Sequence, residues 1–186
     1  MARKLIYSMG VSLDGFIAGP GGDITWSAPD EELHRFHNQQ AREVDVDLHG
    51  RRLYEVMKAW ETIEEQRAVP DYMLEFARIW KATPKVVFSK TLEKVEGNAR
   101  LVRDNAAEEV ARLKQQPGKD LAVGGAGLAS TLIKAGLVDE FRLFISPVML
   151  GAGTAYFPRL DEKIDLELLE SRTFGSRVVY VRYRRV

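Results

Sequence analysis

The chain has 186 residues, of which 45% are hydrophobic and 29% charged, and its 27 basic and 27 acidic side chains cancel. That length makes one domain with room for a substantial core, and the zero net charge argues against a nucleic-acid coat, which needs a basic surplus. The absence of cysteine excludes disulfides, thiolate metal sites and cysteine nucleophiles, and no apolar run reaches membrane-spanning length.

The N-terminal MARKLIYSMGVSLDG joins two basic residues to an apolar run. Asp14 and Gly15 cut that run short of a signal-peptide core, so the expected location is the cytoplasm. Residues 4–13, with Ile6, Tyr7, Met9 and Val11, read as a buried first strand. Phe16, Ile17 and Ala18 form a short apolar return, and Gly19 to Asp23 a flexible loop ending near Trp26. Such a loop is either a mobile lid or an ordinary surface loop with Trp26 as a core plug.

Residues 27–42 have helical spacing. Ser27 with Asp30 resembles a capping box, and Pro29 suits a first turn. Residues 44–48 alternate Val and Leu with Asp, which gives a short strand. Arg51 and Arg52 then open a helix carrying Leu53, Val56, Met57 and Trp60. Two arginines oppose the macrodipole there. An incoming phosphate would resolve the conflict, since guanidinium and helix N–H groups could both bind it; the plainer alternative is two solvated arginines.

Residues 61–69 read as loop. Pro70 starts a helix burying Met73, Phe76, Ala77 and Trp80, and Pro84 ends it. Val86, Val87 and Phe88 make a buried strand, after which Ser89 and Lys90 could hold a phosphate or ribose. Asp104 is the expected N-cap of a helix reaching Leu113.

The densest signal is LAVGGAGLASTLIKAGLVDE, residues 121–140. A buried strand runs into Gly124, Gly125, Ala126 and Gly127, and Leu128, Ala129, Leu132 and Ile133 continue at helical spacing. Glycines let the backbone approach a ligand, and a helix N-terminus attracts phosphate. Glycine turns of this kind also occur where nothing binds. A strand follows over 138–148, then a second glycine loop at 150–154. The runs 167–174 and 178–183 form an antiparallel hairpin around Gly175 and Ser176, with Arg177, Arg182, Arg184 and Arg185 on a solvated edge.

The alternation β-α-β-α-α-β-α-β-α-β with a closing hairpin means an α/β sheet, mostly parallel, and every candidate loop follows a strand. A standard Rossmann site is rejected. Ser130 replaces the third glycine of the fingerprint, and Asp139 and Glu140 come too early for the ribose acid expected about 20 residues on.

Several motifs in order resemble the dihydrofolate reductase superfamily, closest to the reductase domain of riboflavin-biosynthesis deaminase-reductases and its stand-alone relatives. They are SLDGFIA at 12–18, GRRLYE at 50–55, SKTL at 89–92, and the stretch from GGAGL to GAGTAYF over 124–157. The resemblance covers nearly the whole chain. It implies a three-layer fold with a twisted, mostly parallel central sheet of about eight strands, NADPH as hydride donor, a small-molecule substrate and a homodimer. Gly10, Ile17 and Ala18 would lie along the nicotinamide. Arg51, Arg52 and Leu53 would meet the cofactor phosphates, although Leu53 departs from the hydroxyl usual in the family. Ser89 and Lys90 would hold the 2′-phosphate, and Gly124, Gly125, Ala126, Gly127 and Leu128 would cradle the pyrophosphate.

On the substrate side the resemblance implies roles for Trp26 and Ser146. Glu32 falls near the first-helix carboxylate of the folate enzymes and could relay a proton if burial raised its pKa; otherwise it belongs to a solvated acidic first turn. Asp14 orders the lid, faces the substrate or shapes its turn. In the riboflavin enzymes the substrate is an aminopyrimidine carrying a ribosyl phosphate. Folate reduction and a nucleotide-binding dimer without turnover are the alternatives. His34 and His37 stand three residues apart on a helix, but no third metal ligand is evident and no metal is expected.

Overall fold

A computed structural model describes residues 3–186; Met1 and Ala2, the head of the N-terminal stretch read above, lie outside the described residues. Ten strands and five α-helices follow in order: β1 Leu5–Ser12, β2 Phe16–Ala18, α1 Glu31–Ala41, β3 Val44–Gly50, α2 Arg51–Met57, α3 Asp71–Ala82, β4 Lys85–Phe88, β5 Ala99–Val102, α4 Ala106–Lys114, β6 Asp120–Gly124, α5 Ala126–Lys134, β7 Glu140–Ser146, β8 Thr154–Ala155, β9 Leu166–Thr173 and β10 Val179–Arg185. The eight-stranded central sheet runs β5-β4-β3-β6-β1-β7-β10-β9, and β2 pairs with β8 separately. From β5 to β7 every pairing is parallel; β10 runs antiparallel to both β7 and β9. The expected α/β sheet with a closing hairpin is therefore present.

Each sheet face carries its own core, as strand alternation requires. One face buries Leu5, Tyr7, Leu48, Leu121 and Phe141 with Val110 and Leu113 of α4 and Leu132 and Ile133 of α5. There Tyr7 and Tyr156 stack at 4.2 Å, and each hydroxyl donates to the other's carbonyl, at 3.2 and 3.0 Å. The opposite face buries Phe144, Tyr180, Phe174 and Val178 with Leu33 of α1.

Local expectations needed four corrections. Asp30, not Ser27, caps α1, accepting from the Leu33 N–H at 2.9 Å. Pro29 therefore precedes the helix rather than opening it. Asn105 in the left-handed region, not Asp104, precedes α4. β5 is a further parallel strand in a polar stretch that carried no hydrophobic run. Arg182 is half-buried rather than on a solvated edge: it grips the buried Glu140 through two bonds of 2.8 and 3.0 Å, because β10 is an interior strand and β9 forms the edge.

The glycine loop after β7 folds back on the β1–β2 turn. Gly153 has φ +144°, and a Cβ there would overlap the Ala18 carbonyl. Gly153→Ala combines backbone strain with a clash against backbone, so it should destabilise the fold by about 2–4 kcal/mol. Thermal unfolding would read this as a lowered Tm.

Candidate active site

A cavity of about 350 Å³ lies between the sheet and the layer of α1 and α3. Its floor is made by small residues, Ser8 and Gly10 of β1 with Ala122 and Gly124 of β6. Side chains of ordinary size on these central strands would meet the helices; without them a space remains. Aromatic rings close it: Trp60, Phe76 and Trp80 on one side, Phe144 on the other. Leu53 and Met57 of α2 border it near the strand ends, where Gly10 and Gly124 also lie.

The polar groups of this cavity come mostly from helix α1 and strand β3. Asp47 and His49, two apart on β3, point to one face, and His34 and His37 descend from α1. Burial pushes the Asp47 carboxyl up to about 6, against a smaller opposing pull from Lys85. The residue keeps some surface, but that surface faces the cavity. Burial, and then the Lys85 charge, pushes His49 down to about 4; His37 falls to about 4 through burial and then the neighbouring His34. Both imidazoles are neutral at pH 7. Lys85 is turned away, its ammonium donating to the Trp80 carbonyl and lying 4.3 Å over the Trp80 ring. At the far end Arg142 is engaged by Glu140 at 2.7 Å and Glu43 at 2.8 Å. Among the described residues, no group of three His, Cys, Asp or Glu is arranged to hold a metal.

The sheet edge beside the cavity is cationic and rich in free N–H groups. No side chain caps the N-terminus of α5 at Gly125, whose φ is +85°. Around Gly127 a Cβ would meet nothing within 4 Å, so the first turn of α5 faces open space. The start of α2 lies alongside: a Cβ on Gly50 would stand 3.8 Å from that of Leu128. Arg51 bridges from α2 to the turn after β4, donating to Thr91 Oγ1 at 2.8 Å, with Glu55 on its Nε at 2.8 Å. Arg52 is exposed at the same helix start. Ser89 Oγ accepts from the N–H groups of Thr91 and Leu92 at 3.2 and 3.0 Å and so shapes the turn that presents Lys90. The Lys90 ammonium is exposed, 3.3 Å from Asp104. Thus Arg51, Arg52, Leu53, Ser89, Lys90 and the segment from Gly124 to Leu128 share one edge, set by the parallel strands β3, β4 and β6. This donor set fits an elongated polyanion such as a pyridine dinucleotide.

The residues expected on the substrate side do not gather in the cavity. Glu32 accepts from the Gly175 N–H at 3.0 Å and Arg172 at 2.9 Å. These bonds, the backbone one foremost, lower its pKa; the rise that a proton relay would need is absent, and Glu32 belongs to the exposed acidic first turn of α1. Asp14 accepts from Ser12 Oγ at 2.6 Å, Gly151 N at 2.7 Å and Leu150 N at 3.0 Å. The Ser12 hydroxyl and then the Gly151 N–H pull it down to about 2. Asp14 thus clasps the β1–β2 turn to the loop after β7, and Ile17 and Ala18 sit on the little β2–β8 ladder beside it. Trp26 donates to its own loop, Nε1 to the Asp23 carbonyl at 3.1 Å. Ser146 is buried at the end of β7, opposite Ser12.

Asp47 and His49, with the rings of Trp60, Phe76, Trp80 and Phe144, are among the cavity residues that the sequence did not single out for function. One signal was available: an aspartate inside a strand flanked on both sides pays desolvation that a surface strand does not. The alternation at residues 44–48 indicates only a short strand and assigns Asp47 no role.

The model of the RibD C-terminal domain family matches residues 3–180. The uncharacterized Bacillus subtilis protein YyaP is 39% identical over 184 residues, spanning 97% of this chain and 94% of that one. Among solved structures, a putative riboflavin biosynthesis protein from Shewanella sp. PV-4 superposes with a TM-score of 0.76 at 22% identity, covering 100% of this chain and 99% of that chain. Enterococcus faecalis dihydrofolate reductase, solved with NADP(H) and RAB-propyl, gives 0.66 at 16% identity, over 100% and 99%. At those identities the two structures bear on the fold alone.

The Asp47 environment has a measurable cost. Its folded pKa is raised, so its contribution is fully favourable below the unfolded value of 3.8 and is lost as pH climbs through about 6. Asp47→Asn removes that penalty. The variant should match the parent near pH 4 and exceed it at pH 8 by on the order of 2 kcal/mol. Denaturant unfolding at both pH values checks this, since the histidine contributions cancel in the difference.

Proposed function

We propose a reductase function for this chain, which belongs to the RibD C-terminal domain family. In this reading it is an NADPH-dependent oxidoreductase of the riboflavin-biosynthesis reductase type, acting on a small polar heterocycle or carbonyl. The observation that carries the reading is spatial: an aromatic-walled cavity reaches, through Gly10, Leu53 and Gly124, the same strand ends where the uncapped N-terminus of α5 and the cations Arg51, Arg52 and Lys90 stand. Hydride acceptor and anionic donor would then occupy adjoining compartments.

A dinucleotide held by these residues would supply a hydride. The chain's own residues do the rest. The first-turn N–H groups of α5, at Ala126, Gly127 and Leu128, would bind the pyrophosphate, where a side chain at Gly124 would press on Leu53. Arg51 and Arg52 would neutralise phosphate charge. Ser89 and Lys90, presented by their turn, would take the 2′-phosphate and so separate NADPH from NADH. Gly10, Ile17 and Ala18 would line the nicotinamide, held there by the Asp14 clasp on Leu150 and Gly151. Aromatic walls exclude water from the acceptor, which favours transfer between the two bound partners. Folate reduction fits less well, because the first-helix carboxylate Glu32 is committed to Arg172 and Gly175.

Titration of NADPH and NADH, followed by tryptophan fluorescence, tests the reading. NADPH should bind more tightly, and Lys90→Ala should erase the preference. Arg52→Ala should weaken NADPH by about 1–3 kcal/mol, the range of a charge-assisted hydrogen bond. Binding of neither nucleotide would overturn the reductase assignment.

A further inference from the structure

Three polar side chains of the cavity are left unanswered by the fold: Asp47, His49 and, on α1, His34. Asp47 accepts no hydrogen bond from the described residues; burial and the Lys85 charge are the only influences on it. Lys85 spends its donors on the Trp80 carbonyl and lies 4.0 Å from Glu61. His49 is 6% exposed, and its Nδ1 is buried without a partner. The Trp80 ring meets His49 edge-on at 5.4 Å and fixes its plane. Asp47 and His49 line the same cavity and lie two apart on one face of β3. Buried polar groups are almost always paired, and an unpaired one is destabilising. A pair left open side by side, in a space walled by flat rings, is shaped for a ligand edge.

We propose that Asp47 and His49 form the recognition edge for the ring that enters this cavity, Asp47 accepting an exocyclic or ring N–H and the His49 imidazole meeting the neighbouring heteroatom. The inference rests on the reductase reading for its place in the reaction and assigns the substrate-anchoring carboxylate to β3 instead of α1. Its ligand class is a flat nitrogen heterocycle with a donor next to an acceptor. The walls match: Trp60, Phe76 and Phe144 offer ring faces and edges, and such contacts tolerate any flat ring while the polar edge selects among them. Arg142 does not compete for this role, being held by Glu140 and Glu43. His34 and His37 face the ring from α1 as neutral groups and add no charge.

Two probes separate the polar edge from simple hydrophobic filling. 2-Aminopyrimidine carries an amino N–H beside a ring nitrogen; pyrimidine lacks the donor. In NMR titrations following the Trp60 and Trp80 indole signals, the wild-type protein should prefer 2-aminopyrimidine by about tenfold or more. Asp47→Asn, which keeps the shape but removes the charge, should lose most of that preference while binding NADPH as the parent does. Equal affinity of the wild-type protein for the two probes would overturn the proposal, as would a folded Asn variant that keeps the full preference. The wild-type comparison decides alone if the variant fails to fold. Failure to bind NADPH would strike the reductase reading instead, and leaves the probe comparison standing.

Discussion

The site depends on a shortage of side chain at the centre of the sheet. Ser8, Gly10, Ala122 and Gly124 lie on adjacent strands β1 and β6, the two that every other parallel strand flanks. Larger residues there would fill the space beneath α1 and α3. The surrounding rings hold the helices off: His34 packs against Trp60, Tyr72 and Phe76 at 5.7, 4.9 and 5.9 Å. Trp60 and Phe76 meet each other at 4.6 Å. Rigid rings span a gap that flexible aliphatic chains would collapse into. The same lack of bulk at Gly124 admits Leu53 from α2, so one small residue serves both the cavity floor and the approach of the cationic helix.

Parallel strands bring that floor to one end of the sheet. β3, β4, β6, β1 and β7 all end on one edge, and each delivers its loop there. The antiparallel hairpin is tied on by charge. Glu140, 1% exposed, receives Arg142 and Arg182, with Lys4 at 3.8 Å. Burial pushes its pKa up, but the Arg182 and Arg142 bonds outweigh that and keep it low. Removing one partner from such a cluster leaves a buried charge uncompensated and is strongly destabilising. The cluster therefore fixes how β10 lies on β7, and through Arg172 and Gly175 the hairpin in turn holds Glu32 and the start of α1.

Most of the fold was legible because it is written in periodicity. The runs at 4–13, 86–88, 121–123 and 138–148 all became central strands, and the helices around Phe76, Val110 and Leu132 bury the expected face. The exceptions are instructive. β5 carries Arg100 on a polar background, and its strand character comes from pairing with β4, a partner remote in sequence from β6 and β1. Asp30 displaced Ser27 as the cap since the intervening Pro29 favours extended backbone before the helix. The strand-end cluster proposed to meet a cofactor stood out in the sequence because glycines and arginines at a helix start break local rules. The cavity did not stand out, because no local rule is broken by Asp47 or His49. Only their neighbours across the sheet make them costly.

Two acids on one row of the sheet show where the protein gives up stability. The register aligns Lys85, Asp47, Ala122, Ile6, Glu140 and Arg184 across five strands and a sixth. At one end Glu140 is answered by two arginines. Nearer the other end Asp47 sits beside Lys85, yet that ammonium turns under Trp80 and leaves the carboxyl to the cavity. The chain thus has the means to neutralise a buried acid on this row and uses them at Glu140 alone. A fold optimised for stability would pair Asp47 with Lys85 or replace it with an apolar residue, which is often neutral or better in energy. Keeping the acid open costs folding energy that a bound donor would restore, and such an imbalance is characteristic of a binding site.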